Sequence, residues 1–254
     1  MFQKIENKFI IMAYALMLVG WGGTAVFGIL GFTLNNSPWL YIFYLMGGWS
    51  PTIASYWSSK KQGSVTGLLD WLKQIFIFKS SIVSYGLVIF LLTCYFFPLC
   101  TISGFTRELP LYNIVLMLPM MFMGGGLEET GWRYILQPEY EKKYNFVTAN
   151  ILTGIIWAVW HFPLFHIVGV AQYHTDFLIF FINVLGLTFA LGAIRSVTQN
   201  IWLCILFHTL ANAIQSVFII KQTILGVIIS TIFLIIISLI IKTVCTKIPC
   251  SSTS

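Results

Sequence analysis

The chain is a succession of apolar runs, most long enough to cross a bilayer, separated by connections in which the basic residues collect. A helix crossing the hydrocarbon core needs about 20 predominantly apolar residues. Runs of that kind occupy about residues 9–32, 39–57, 82–102, 111–136, 147–169, 177–196, 200–220 and 223–242. A helix satisfies its own backbone groups where no water is present, so each run is expected to be helical. The expected fold is therefore all-α: a polytopic transmembrane helix bundle of about eight spans, with 1–254 forming a single integral membrane domain. Charged residues make up only 9% of the chain, against about 25% in soluble domains.

The connections carry the topology. With the N-terminus placed in the cytoplasm, the inside segments hold Lys4, Lys8, Lys60, Lys61, Lys73, Lys79, Arg133, Lys142, Lys143, Arg195, Lys242 and Lys247. The outside loops hold Arg107 and Lys221. By the positive-inside rule both termini are expected to be cytoplasmic. The same scatter makes the formal net charge of +6 a matter of topology, and nucleic-acid binding is not expected. Residues 67–79 are too short and too charged to span, and their spacing predicts an amphipathic helix at the interface. Pro51 is expected to kink the second span. The first apolar run lacks a clear cleavage site, so no cleavable signal peptide is expected.

Against this background a few polar residues stand out, because a charge near mid-bilayer costs several kcal/mol and generally faces a cavity or a partner. The first group lies in Gly124-Gly125-Gly126-Leu127-Glu128-Glu129-Thr130-Gly131-Trp132-Arg133. On a helix Glu129 and Arg133 share a face and are expected to pair. Glu128, turned about 100° away, is expected to face elsewhere. The glycine run permits close approach of another helix or of a substrate backbone.

His161 follows Trp157 by one turn, and Trp157 is expected to stack beneath it. Pro163 tends to free the carbonyl four residues earlier, that of Val159, and broken membrane helices usually line cavities. His208 and Asn212, also one turn apart, direct two hydrogen-bond donors to one side. That pattern suits a carbonyl oxygen gaining negative charge; helix–helix polar contact is the other reading. Counting about 1.5 Å per residue, Glu128 and His208 fall roughly a dozen ångströms inside the cytoplasmic boundary. His161 lies deeper, and the groups are expected to meet in the cytoplasmic half. His166 and His174 are left outside the site.

Glu-Glu-x-x-x-Arg (128–133), aromatic-x-x-x-His (157–161) and His-x-x-x-Asn (208–212), in that order on consecutive hydrophobic blocks, resemble the CAAX protease and bacteriocin-processing family, which includes the type II CAAX prenyl endopeptidases. Trp157 departs from the Phe usual at that place. The resemblance implies an intramembrane endopeptidase in which Glu128 activates water with help from His161. His208 and Asn212 would stabilise the oxyanion, with Glu129 and Arg133 supporting the geometry. No obligatory metal is expected. Were zinc present, Glu128, His161 and His208 would be its candidate ligands.

The expected partners are the lipid bilayer and a membrane-associated peptide or protein substrate entering from the cytoplasmic leaflet. The short loops and Ile-rich spans point to a bacterial plasma membrane, where processing of a leader or signalling peptide replaces prenyl-protein cleavage. A non-enzymatic bacteriocin-immunity or partner-binding protein is the alternative. A proton-relay transporter is a third, but no internal repeat supports it. Cys94, Cys100, Cys204, Cys245 and Cys250 show no metal-ligand spacing and read as small apolar fillers. Cys250 is one residue too far from the end for a prenylation box.

Overall fold

The computed structural model describes residues 5–247; Lys4, Pro249 and the Cys250 tail, and the side chain of Lys247, lie outside the described residues. Among the described residues, five helices are long and apolar enough to cross a membrane. They are α1 (Ile5–Ile29, with a π-helical turn at Leu18–Gly22), α5 (Ile82–Ser103), the pass begun by α7 (Phe146–Trp160) and ending at His166, α8 (Phe177–Thr198) and α10 (Ile224–Lys247). A sixth apolar helix, α9 (Ile201–Val217), is shorter. The fold is an all-α membrane bundle, and the chain is an integral membrane protein.

The two other expected spans are broken. The run 39–57 becomes α2 (Leu40–Gly48) and α3 (Ser50–Gln62), joined at Trp49, with Pro51 in the first turn of α3. Proline suits that position because its missing N–H has no helical partner there. Glycines on α1 and α2 explain how tightly these helices cross: a Cβ on Gly20 would lie 2.4 Å from the backbone nitrogen of Gly47. The run 111–136 becomes α6 (Asn113–Gly124) followed by irregular helical turns over 126–141.

Helix starts follow ordinary capping chemistry. Asn145 accepts from Thr148 N at 2.9 Å, Asp176 from Leu178 N at 2.8 Å, and Asn200 from Trp202 N at 2.9 Å.

Contacts between connections define two ends of the bundle. At one end Lys143 pairs with Glu6, Ser196 Oγ donates to Glu141 at 3.1 Å, and Asn200 Nδ2 donates to the carbonyl of Ile77 at 2.9 Å. This is the lysine-bearing end. At the other, β1 (Phe105–Arg107) pairs antiparallel with β2 (Phe218–Ile220), and Ser103 bonds Thr223 at 2.8 Å. These short strands are a detail beyond the all-helical expectation; each merely joins two passes. The expected amphipathic helix is α4 (Leu68–Ile75), shorter than 67–79. Its Trp71 and Ile75 pack with Ile201 and Ile205 of α9, while Leu68 and Leu69 remain exposed.

Candidate active site

The break after α6 positions the acidic pair. Gly125 leaves helical geometry, with φ −153° and ψ −52°, and the chain re-enters a tight turn at Gly126–Glu128. Breaking a helix in the apolar interior strands carbonyls, and side chains cover two of them. Trp49 Nε1 donates to Met123 O at 2.9 Å; Thr52 and Thr130 hydroxyls donate to Leu127 O at 2.9 and 2.7 Å. The glycines here let α9 approach. A Cβ on Gly126 would sit 2.3 Å from Thr209 Oγ1, and one on Gly125 would sit 2.3 Å from Asn212 Nδ2 and 3.2 Å from His208 Nε2.

The two glutamates diverge, as their spacing predicts. Glu129 turns toward α9 and Arg133: its Oε1 is 2.8 Å from His208 Nδ1, and its Oε2 lies 3.4 Å from Arg133 Nε. Both members of the Glu129–Arg133 pair are fully buried. The Arg133 guanidinium also lies 4.8 Å from the Trp157 ring centre, a cation–π arrangement.

Glu128 turns the other way. Its Oε2 accepts a hydrogen bond from Trp157 Nε1 at 2.8 Å and lies 3.8 Å from His161 Nε2. His161 Nδ1 bonds the carbonyl of Trp157 at 2.9 Å. Since a carbonyl only accepts, Nδ1 carries the proton and the Nε2 lone pair faces Glu128. That ring occupies the carbonyl exposed where α7 ends; His161 N itself bonds Ala158 O. The free carbonyl was expected at Val159, and the local tightening of the last turn moves it to Trp157.

All six predicted site residues thus fall into one cluster at the meeting of the 126–141 segment, α7 and α9, with all but the half-buried Asn212 buried. Glu128, His161, His208 and Asn212 line one cavity of about 230 Å³. His166 and His174 do not line it; they make edge-to-face contacts with Phe162 and Tyr173. Two features were not anticipated. Trp157 is a hydrogen-bond donor to Glu128 as well as a neighbour of His161, their ring centres being 5.8 Å apart. His208 is tied to Glu129, which couples the supporting ion pair directly to the second imidazole. Trp21 and Tyr44 also border the cavity, Trp21 bonding Tyr44 O at 2.9 Å. An aromatic in a span carries no signal by itself that it faces a site.

As for a metal, Trp157 holds one Glu128 oxygen and Glu129 holds His208 Nδ1. Among the described residues, no three His, Cys, Asp or Glu side chains are gathered as an ion requires.

Residues 110–214, which contain all six residues, match the family described as type II CAAX prenyl endopeptidase Rce1-like. The chain is also 30% identical over 118 residues to CAAX prenyl protease 2 of Methanococcus maripaludis, an alignment covering 43% of this chain and 43% of that protein. The chain therefore spans less than half of that relative's length in the match. Through the segment 110–214, this chain is similar to the CAAX protease family.

Proposed function

We propose that the protein is an intramembrane endopeptidase that hydrolyses a peptide bond in a membrane-associated peptide or protein. The observation that carries this reading is the convergence of Asn212 Nδ2 and His208 Nε2 beside Gly125, across one cavity from the Glu128–His161 pair. A separation of 3.8 Å is too long for a hydrogen bond but suits two groups that share one water.

In the proposed reaction Glu128 takes a proton from that water while the His161 Nε2 lone pair holds its other hydrogen. The oxygen attacks the scissile carbonyl carbon. Asn212 Nδ2 and His208 Nε2 donate to the resulting oxyanion. His208 donates from Nε2 only when its ring carries both protons, and Glu129 supplies the counter-charge at Nδ1. Collapse breaks the C–N bond, and the proton held by Glu128 passes to the leaving amine. Every proton has a named carrier among these residues, so the reading requires no metal.

The relative's name refers to prenyl proteins; here the substrate is read as a peptide processed at a bacterial plasma membrane, with both termini cytoplasmic and one membrane domain. The test is cleavage of a fluorogenic membrane-peptide library by purified protein, with Glu128→Ala alongside and a chelator added to each. Cleavage that Glu128→Ala abolishes and the chelator spares supports the reading. Loss with chelator and recovery with zinc would replace it with a metalloprotease. Partner capture that survives Glu128→Ala, with no cleavage by either protein, would favour a binding protein.

A further inference from the structure

The cavity at Glu128 has a direction. Besides Glu128 and His161, its walls include Asn183 and Gln215, and Gln172, Thr175 and Gln222. Those last residues belong to the connections between α7 and α8 and between α9 and α10. Both lie at the end of the bundle that carries the strand pair. The lysine-bearing connections lie at the opposite end. Toward that opposite end the site is closed: Trp132, Arg133 and Gln137, which follow Glu129 in the chain, are all fully buried.

Basic residues gather on the cytoplasmic side of membrane proteins, because loops rich in Lys and Arg are retained there. Lys60, Lys61, Lys142 and Lys143 mark the closed end, whereas Arg107 and Lys221 are the Lys and Arg residues of the open one. We infer that the site is reached from the non-cytoplasmic face, and that its substrate is a peptide segment presented there. The second half of that statement rests on the proposed peptidase reading.

The chemistry of the walls agrees. Between the mouth and Glu128 they carry carboxamides and a hydroxyl but no lysine or arginine. Neutral amides match the backbone N–H and C=O groups of an extended peptide and supply no counter-charge to a charged headgroup. At about 230 Å³ the cavity is smaller than typical ligand pockets, which span about 300–1,000 Å³. A short length of polar backbone suits that space better than a long hydrocarbon chain. Entry from the cytoplasmic leaflet is thereby replaced. Counting residues along each span placed Glu128 nearer that side, but it could not register the buried Trp132–Arg133 plug beneath it.

Single cysteines test this. Leu187→Cys and Gln215→Cys report from the cavity wall, and Lys60→Cys marks the lysine end; each is made in a chain whose five native cysteines, of which Cys100 and Cys245 are only half-buried, are replaced by alanine, and that chain is the blank. Each is exposed to a charged, membrane-impermeant thiosulfonate in right-side-out and in inside-out vesicles. Labelling in detergent first establishes that each folded reporter reacts. The expected result is labelling of the two cavity cysteines in right-side-out vesicles and of Lys60→Cys in inside-out vesicles. Labelling of the cavity cysteines only together with Lys60→Cys, or from neither side, overturns the inference. These labels report access, so they stand even if no peptidase activity is found. Cleavage by wild type of a peptide supplied only on the cytoplasmic side would uphold the hydrolase and refute the outward entry.

Discussion

Gly125 offers a sharp perturbation, because a single methyl group there meets both proposed oxyanion donors. Its Cβ would lie 2.3 Å from Asn212 Nδ2 and 3.2 Å from His208 Nε2. Relaxed contacts between such atoms lie near about 3.5 Å, so the carboxamide must move by roughly 1 Å. A misplacement of that size costs about 100-fold in rate, and loss of one oxyanion donor costs about 100- to 1,000-fold. The fold should suffer less, since overpacking costs about 1–3 kcal/mol and the displaced group is a side-chain end. Gly124→Ala is the matched control: it also borders the cavity, yet a Cβ there meets nothing within 4 Å. Peptide cleavage and thermal unfolding of the two variants should therefore separate. Gly125→Ala is expected to lose at least about 100-fold in kcat with a folded protein retained, and Gly124→Ala to stay close to wild type. Equal activity of the two would refute the placement of the oxyanion between Asn212 and His208.

Other outcomes follow from the same geometry. Trp157→Phe keeps the ring but deletes the donor to Glu128; a hydrogen bond to a charged group is worth about 1.5–3 kcal/mol, so kcat/KM should fall about tenfold or more, and an unchanged value would show the bond to be idle. Arg133→Met removes one of the two partners of the buried Glu129 carboxylate, leaving His208; breaking a buried ion pair costs up to about 3–5 kcal/mol, read as a fall in melting temperature. Gly126→Ala drives a methyl to 3.2 Å from the carbonyl of Ile205 as well as onto Thr209; it should destabilise more than Gly125→Ala, because a backbone must shift. A chelator should leave cleavage unchanged, and zinc-restorable loss would show that an ion acts in the site.

Much of the bundle was legible because apolar length alone dictates a membrane helix. The breaks at Trp49 and after Gly124 were harder to read, since Gly47, Gly48 and the 124–126 run are as apolar as their surroundings. What they create is backbone proximity, seen only when Gly47 meets Trp21 and Gly125 meets Asn212. Within the site, the Glu129–Arg133 pair was readable from its four-residue spacing. The bond from Trp157 to Glu128 was not, because it joins residues 29 apart in the chain. Local spacing assigned Trp157 only to His161. Likewise His208 and Asn212 share a face in any helix, but the tie from His208 to Glu129 depends on how α9 meets the broken segment. The direction of the cavity depends on connections whose sequences carry no periodic signal.

The most direct test of the central claim is isotopic. Wild-type protein and Glu128→Gln are incubated with a cleaved peptide in water enriched in oxygen-18, and the new C-terminal carboxylates are weighed. The account predicts one heavy oxygen per cleavage by wild type. For Glu128→Gln it predicts a rate lower by about 100-fold or more, the scale of general-base catalysis. Undiminished cleavage by Glu128→Gln would contradict the assignment of Glu128 as the group that activates water.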